Sequence, residues 1–362
     1  MSVTKDDVKA ALRQVIDPNT GKNLWDGGSA QELRVDEGDV SLDVVLGYPA
    51  RSQIDSIRRE TIAALRAIPG VTNVSANVYQ KIRTHAVQRN VKTLFGVRNI
   101  VAIASGKGGV GKSTTAVNIA LALAAEGASV GMLDADIYGP SQPTMLGISG
   151  RPESRDGKSL EPMEGHGIQA SSIGFMIDTD TPMVWRGPMV TQALEQLLRE
   201  TRWRELDYLV VDMPPGTGDI HLTLAQKIPV TGAVIVTTPQ DIALIDARKG
   251  FKMFEKVGIP ILGIVENMAM HTCSNCGHVE HIFGEGGGER MAKEYEVEYL
   301  GGLPLDIRIR EQADSGNPTV VADPDSDVAA MYRKIARRIA VRIAETAEDW
   351  TGKVPEVVFQ DT

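Results

Sequence analysis

The stretch Gly106-Lys107-Gly108-Gly109-Val110-Gly111-Lys112-Ser113 decides how the rest of the chain is read. It fits the pattern G-x-x-x-x-G-K-[ST], placed after an apolar run that ends at Ser105 and before a helical stretch opening near Lys112. Glycines let the backbone curl so that successive amides aim at one phosphate group. The N-terminal end of the following helix adds its partial positive charge. Lys112 supplies a full charge for the outer phosphates, and the Ser113 hydroxyl is a candidate magnesium ligand. A plain glycine turn before a helix would not need spacing, strand and helix to agree, so the stretch is expected to cradle the phosphates of a nucleotide.

Working outward, short continuous apolar runs surround this loop. They are Ile100–Ala104, Val130–Leu133, Tyr208–Val211, Ala233–Val236 and Ile261–Val265. Each is of strand length, and helical stretches separate them. Strands buried on both faces of a parallel α/β sheet look like this, and ligands bind at the carboxyl ends of such strands. The expected fold is therefore an α/β P-loop NTPase with a mostly parallel sheet flanked by helices, over residues 99–350.

Acidic residues fall at those strand ends. Asp134 and Asp136 close the run Val130–Leu133, and Asp212 closes Tyr208–Val211. Carboxylates there can orient a water or hold the water shell of a metal. Asp212 is expected in the magnesium shell. Gly216-Thr217-Gly218 reads as a flexible loop that senses the terminal phosphate, and Asp219 and His221 read as ordinary loop residues.

The first 80 residues have a different style. Thr4 and Asp7 make a capping-box pattern, and Val8, Leu12, Val15 and Ile16 follow at helical spacing. Alternating apolar residues on either side of Glu37-Gly38-Asp39 predict a hairpin. A second helix around Ile54–Ile68 and a strand over Val71–Val78 complete an α-β-β-α-β module. The small α+β domain is thus expected at 1–80, a basic linker at 81–98, and a last helix from Asp327 to Ala347. An acidic tail would follow at 351–362.

The formal net charge is -9, which argues against a nucleic-acid binder held by general phosphate attraction. No apolar run reaches membrane-spanning length, and the N-terminus lacks the basic and apolar regions of a signal peptide. The default expectation is a cytoplasmic protein with neither nucleic acid nor membrane as partner.

The two cysteines, Cys273 and Cys276, form a C-x-x-C. In a reducing compartment this spacing points to metal or redox chemistry. One chain cannot supply four thiolates. Two chains meeting at a symmetry axis can, which would suit a cubane iron-sulfur cluster. His278 and His281 follow closely, so C-x-x-C-x-H-x-x-H could instead hold zinc within one chain. A redox dithiol is the third reading. Spacing alone leaves all three open.

Lys107, just after the first glycine, is not required by an ordinary phosphate loop. Lys107-Gly108-Gly109-Val110-Gly111-Lys112-Ser113-Thr114 resembles the deviant Walker A motif of the partitioning and cell-division-site ATPases and the nitrogenase iron protein. The resemblance implies that Lys107 reaches the partner's nucleotide across a homodimer, and that Asp136 positions the attacking water. Asp134–Ser141, Asp212–Asp219, Glu266-Asn267-Met268 and Gly302–Asp306, with the cysteine pair and the small module, resemble the Mrp/ApbC family. That family comprises ATPases that carry a [4Fe–4S] cluster between two subunits to apo iron-sulfur proteins. The resemblance implies Cys273 and Cys276 as cluster ligands, ATP with magnesium as cofactor, and Asn267 and the Pro304 region near the adenine. Related N-terminal modules often carry a cysteine where this one has Gly47-Tyr48-Pro49-Ala50, so docking or regulation suits the module better than ligation. A ParA/MinD-like spatial-positioning ATPase and an electron-transfer ATPase with a bridging cluster are the competing classes.

Overall fold

The computed structural model describes residues 3–87, 91–176 and 187–346, so the tail read at 351–362 lies outside it. The N-terminal part runs α1 (Lys5–Leu12), β1 (Ala30–Asp36), β2 (Asp39–Leu46), α2 (Ile54–Arg66) and β3 (Asn73–Gln80). The capping box forms: Asp7 N donates to Thr4 Oγ1 at 3.2 Å, and Thr4 N donates to Asp7 Oδ2 at 3.0 Å. Glu37 and Gly38 both take positive φ, which makes the tight turn that pairs β1 and β2 antiparallel. β3 joins β2 in parallel.

The larger part continues with β4 (Val97–Ala104), α3 (Lys112–Ala125), β5 (Val130–Asp134), α4 (Gln142–Met145), β6 (Met163–Gly165) and β7 (Ile168–Ser172). Next come α5 (Gly187–Glu200), β8 (Leu206–Asp212), α6 (Asp219–Lys227), β9 (Gly232–Thr237), α7 (Asp241–Lys256) and β10 (Ile261–Thr272). β11 (Val279–Glu280), α8 (Gly287–Glu294), β12 (Tyr299–Pro304), α9 (Ile307–Asp314), α10 (Thr319–Ala322) and α11 (Asp327–Ala344) complete it. The sheet order is β11-β10-β9-β4-β8-β5-β7-β6, with β12 paired to β10. Only β6 with β7 and β10 with β11 are antiparallel.

Every residue of β5, β8 and β9 is buried, which is why these strands read as unbroken apolar runs. Alternation assigns the two faces of β4. Val101 and Ile103 pack with the core on the α3 and α11 side, whereas Ile100, Ala102 and Ala104 pack with the core on the α5, α6 and α7 side. The first of these cores also includes Val8, Leu12, Leu42, Ile57 and Leu65, so the N-terminal sheet shares its interior with α3 and α11. Residues 81–87 are pinned where His85 N and Nδ1 both meet Asn99 Oδ1 at 3.1 Å.

Two readings change. α11 ends at Ala344 rather than at Ala347, with Glu345 as its C-cap. Asp219 and His221 are not in a loop but in the first turn of α6. The α6 N-cap is Gly218, which has no side chain to announce the start. Three basic residues of α11 are engaged with carboxylates: Arg337 pairs with Glu126, and Arg338 and Arg342 with Glu298. Among the described residues no helix is long and apolar enough to cross a membrane.

A polar clamp joins the two parts. Glu126, the fully buried C-cap of α3, accepts from Arg337 Nη1, from Ser52 N at 3.0 Å and from Ser52 Oγ at 2.8 Å. Gln80 Nε2 donates to Gly127 O at 2.8 Å. Removing one partner of a buried pair strands the other charge. Glu126→Ala is therefore expected to lower unfolding stability by about 3–5 kcal/mol, read by denaturant titration; a loss under about 1 kcal/mol would show that the clamp is not a structural tie.

Candidate functional site

The loop from β4 to α3 is held by its neighbours and open toward solvent. A Cβ at Gly106 would lie 2.1 Å from the Asp246 carbonyl carbon, so only glycine lets α7 back onto the loop. Gly111 takes φ 79°, and a Cβ there would meet Asn267 Nδ2 at 2.2 Å. On the other side, Gly109 has open space and Gly108 meets only Pro215 Cβ, at 3.9 Å. No side chain caps α3 and its first turn holds no acidic residue, so its leading amides are left for an anion. Val110 is buried, Ser113 and Thr114 are half-buried, and Lys107 is partly exposed at the mouth.

Behind the loop lies a charged cluster. Lys112 forms a buried ion pair with Asp212 and donates to Ser113 Oγ at 3.1 Å. Asp134 stands beside Asp212 in register on adjacent strands. Its Oδ2 accepts from Ser141 N, Gln142 N and Ser172 Oγ, each at 3.1 Å, and its Oδ1 accepts from Asp136 N at 3.2 Å. Burial, then the Asp212 charge, pushes the Asp134 carboxyl up to about 7. Burial also raises Asp136, with Lys112 opposing it. Lys112, Ser113, Asp136 and Asp212, predicted separately from sequence, thus converge. The donors are hard oxygens, and buried Ser141 Oγ and Gln142 Oε1 have no hydrogen-bond partner, which fits a hydrated magnesium ion accompanying phosphate.

The loop after β8 is tied to the cradle, since Gly216 N donates to Ser105 O at 3.1 Å. His221, buried in α6, places Nε2 2.7 Å from Pro214 O, and the carbonyl fixes that nitrogen as the donor. Burial holds its pKa below the ordinary value. The sequence reading missed this brace for want of a cap before α6.

β10 connects the cradle to the cysteines. Asn267, buried, donates from Nδ2 to Val110 O at 2.9 Å and so props the loop from behind. Met268 takes φ 57°, and the β10–β12 register shifts between Glu266 and Met270. β10 then turns into β11 through the hairpin that carries Cys273 and Cys276. Cys273 N donates to His278 O and Gly277 N to Cys273 O, both at 2.9 Å. Cys276 is exposed and Cys273 half-exposed; amide donors from Asn275 and Cys276 lower the Cys273 thiol pKa. His281 Nδ1 lies 2.8 Å from Ala269 O, on the strand rather than with the cysteines. Among the described residues no third His, Cys, Asp or Glu side chain joins the two thiols at the hairpin in a group that could hold a metal ion.

Residues 96–340 match the NUBPL iron-transfer P-loop NTPase family, and residues 5–78 match an iron-sulfur cluster assembly protein family. An iron-sulfur cluster carrier protein of Pseudomonas fragi is 61% identical over 275 residues, 75% of this chain and 96% of that protein. One of Escherichia coli K12 is 54% identical over 314 residues, 86% of this chain and 84% of that protein. A nucleotide-binding protein from Archaeoglobus fulgidus, solved with ADP, superposes with a TM-score of 0.56 at 37% identity, covering 64% of this chain and 90% of its own.

The Asp134 environment has a measurable consequence. Its pKa is raised on folding, so its stabilising contribution is complete below the unfolded value and is lost as pH rises through about 7. Asp134→Asn is expected to flatten the fall in stability between pH 5 and 8 by about 1–3 kcal/mol, read by denaturant midpoints at each pH. Parallel curves for variant and wild type would refute the assignment.

Proposed function

The chain belongs to the NUBPL iron-transfer P-loop NTPase family, and on that premise we propose that it binds and hydrolyses ATP in the cytoplasm as a homodimer that carries a [4Fe–4S] cluster to apo iron-sulfur proteins. The observation that carries this reading is the continuity of β10: one strand braces the phosphate loop through Asn267 and ends in the Cys273/Cys276 hairpin.

At the nucleotide end, the amides of Gly106 to Thr114 would take the phosphates. Lys112 would leave Asp212 for the outer phosphates, which frees that carboxylate. Ser113 Oγ and, through a water, Asp212 would hold magnesium, which supplies charge neutralisation across the phosphates. Asp136 orients the attacking water, and Lys107, at the mouth, extends to the nucleotide of the second copy. Exposed apolar side chains support a pairing face: Ile242 and Ile245 stand on α7, whose backbone backs Gly106, and Val279 and Ile282 flank the cysteine hairpin. At the hairpin, two thiols per chain supply half of a four-thiolate set, so the cluster is cargo shared between copies. Three of the five basic residues of α11, Arg337, Arg338 and Arg342, are paired with Glu126 and Glu298, which weakens the spatial-positioning alternative, since it needs a free basic helix for anionic lipid or DNA.

Anaerobic reconstitution tests the site. Wild type is expected to hold about four irons and four sulfides per dimer, and Cys273→Ala/Cys276→Ala to hold none; one zinc per chain would overturn the reading. Lys112→Ala is expected to lower ATP turnover by roughly a hundredfold or more. Cluster transfer at the same rate with and without ATP, and in that variant, would separate hydrolysis from delivery. A cluster that stays bound through turnover would favour electron transfer instead.

A further inference from the structure

Gln142 belongs to no motif that the chain announces, yet it stands at the centre of the charged cluster. It is 1% exposed. Its Nε2 donates to Asp212 Oδ2 at 2.9 Å and to Ser113 O at 3.2 Å. Its backbone N donates to Asp134 Oδ2 at 3.1 Å. One residue therefore touches the Asp212 carboxylate, the backbone carbonyl of Ser113 and, through its own amide, the carboxylate beside them.

The orientation of its side-chain amide follows from the partners. Both groups facing Nε2 are acceptors, so the opposite flip would set a carbonyl oxygen against a carboxylate and a carbonyl. Oε1 is consequently the remaining atom, and it is buried without a hydrogen-bond partner among the described residues. A buried amide oxygen wants a donor. Ser141 Oγ, next in the chain, is buried and unpartnered as well. The two mark the side of the cluster that the protein's own hydrogen bonds leave incomplete.

We propose that Gln142 is a positioning residue of the magnesium site: its Nε2 fixes the Asp212 carboxylate once Lys112 has moved to the phosphates, and its Oε1 accepts from a water in the magnesium shell. This rests on the nucleotide reading above. It goes beyond that reading by adding the first residue of α4, whose side chain links Asp212 to the Ser113 carbonyl and whose backbone N reaches Asp134. Phosphate binding at the amides does not need Gln142, because none of its contacts reaches Gly108, Gly109 or Gly111. Metal and nucleotide affinities should therefore separate.

The test uses the full chain and two variants, Gln142→Met, which keeps the length and loses both polar atoms, and Gln142→Asn, which withdraws the amide by one methylene. A fluorescent ADP analogue is titrated in EDTA and in magnesium, and manganese binding to the nucleotide complex is followed by electron paramagnetic resonance. Both variants are expected to bind the analogue in EDTA as wild type does, within about twofold, and to bind manganese about tenfold or more weakly. Unchanged manganese affinity in either folded variant overturns the proposal and leaves the nucleotide reading standing. A wild type whose nucleotide affinity ignores magnesium overturns the magnesium site and this proposal together. Equal weakening with and without metal assigns Gln142 to loop structure alone and also overturns it.

Discussion

Asp134 and Asp212 end adjacent parallel strands in register, which sets two carboxylates at about strand spacing, ~4.8 Å, inside the protein. Like charges so placed repel strongly in a low-dielectric interior. The fold answers with a single buried ammonium. Lys112 neutralises Asp212, while Asp134 is left to four hydrogen-bond donors and a raised pKa. Asp136 stands nearby, so three carboxylates share one lysine. The excess of negative charge is tolerable because the loop of α3 brings Lys112 back over the strand ends, and that loop keeps its path only because α7 and Asn267 press on two glycines. The cluster is thus poised for cations, and the cradle in front of it for anions. A magnesium-bound nucleotide carries both.

Much of this was legible in the sequence because it is local. The glycine spacing, the lysine and the helix start lie within eight residues, and the buried strands declare themselves as apolar runs. Contacts made across the fold left no such trace. Nothing near Asn267 says that its amide meets Val110, 157 residues away. Gln142 reads as a helix residue before a proline, and Glu126 as an ordinary charged helix end. The β6–β7 hairpin was missed although His166 and Gly167 both take positive φ at its turn, a signal that two tight-turn residues could have given. Asp219 and His221 read as loop residues because glycines precede α6 where a capping side chain would normally stand.

α3 gives the molecule its internal axis. Its first residue is Lys112, and 14 residues later, about 21 Å along the axis, its C-cap is Glu126. One end faces the nucleotide cradle and the other is gripped by Ser52 and Arg337. The small sheet is therefore docked on the far end of the very helix that begins at the glycine-rich loop, over a core that the two parts hold in common. Its loop at Gly47-Tyr48-Pro49 has no thiol, and Tyr48 is instead buried, donating to Asp17 at 2.7 Å.

The hairpin that ends β10 carries two thiols and no third ligand among the described residues. On the proposed reading each chain holds half of a ligand set, so possession of cargo obeys mass action. The loaded species scales with the square of the free protein concentration, and dilution favours unloading even where no bond to iron is weakened. Delivery then needs no dedicated cutting step. A client that offers its own thiolates competes with one half-site at a time, and the second half-site is lost when the pair separates. One exposed and one half-exposed cysteine on a short turn are, in that sense, a reversible receptacle whose grip is set by association.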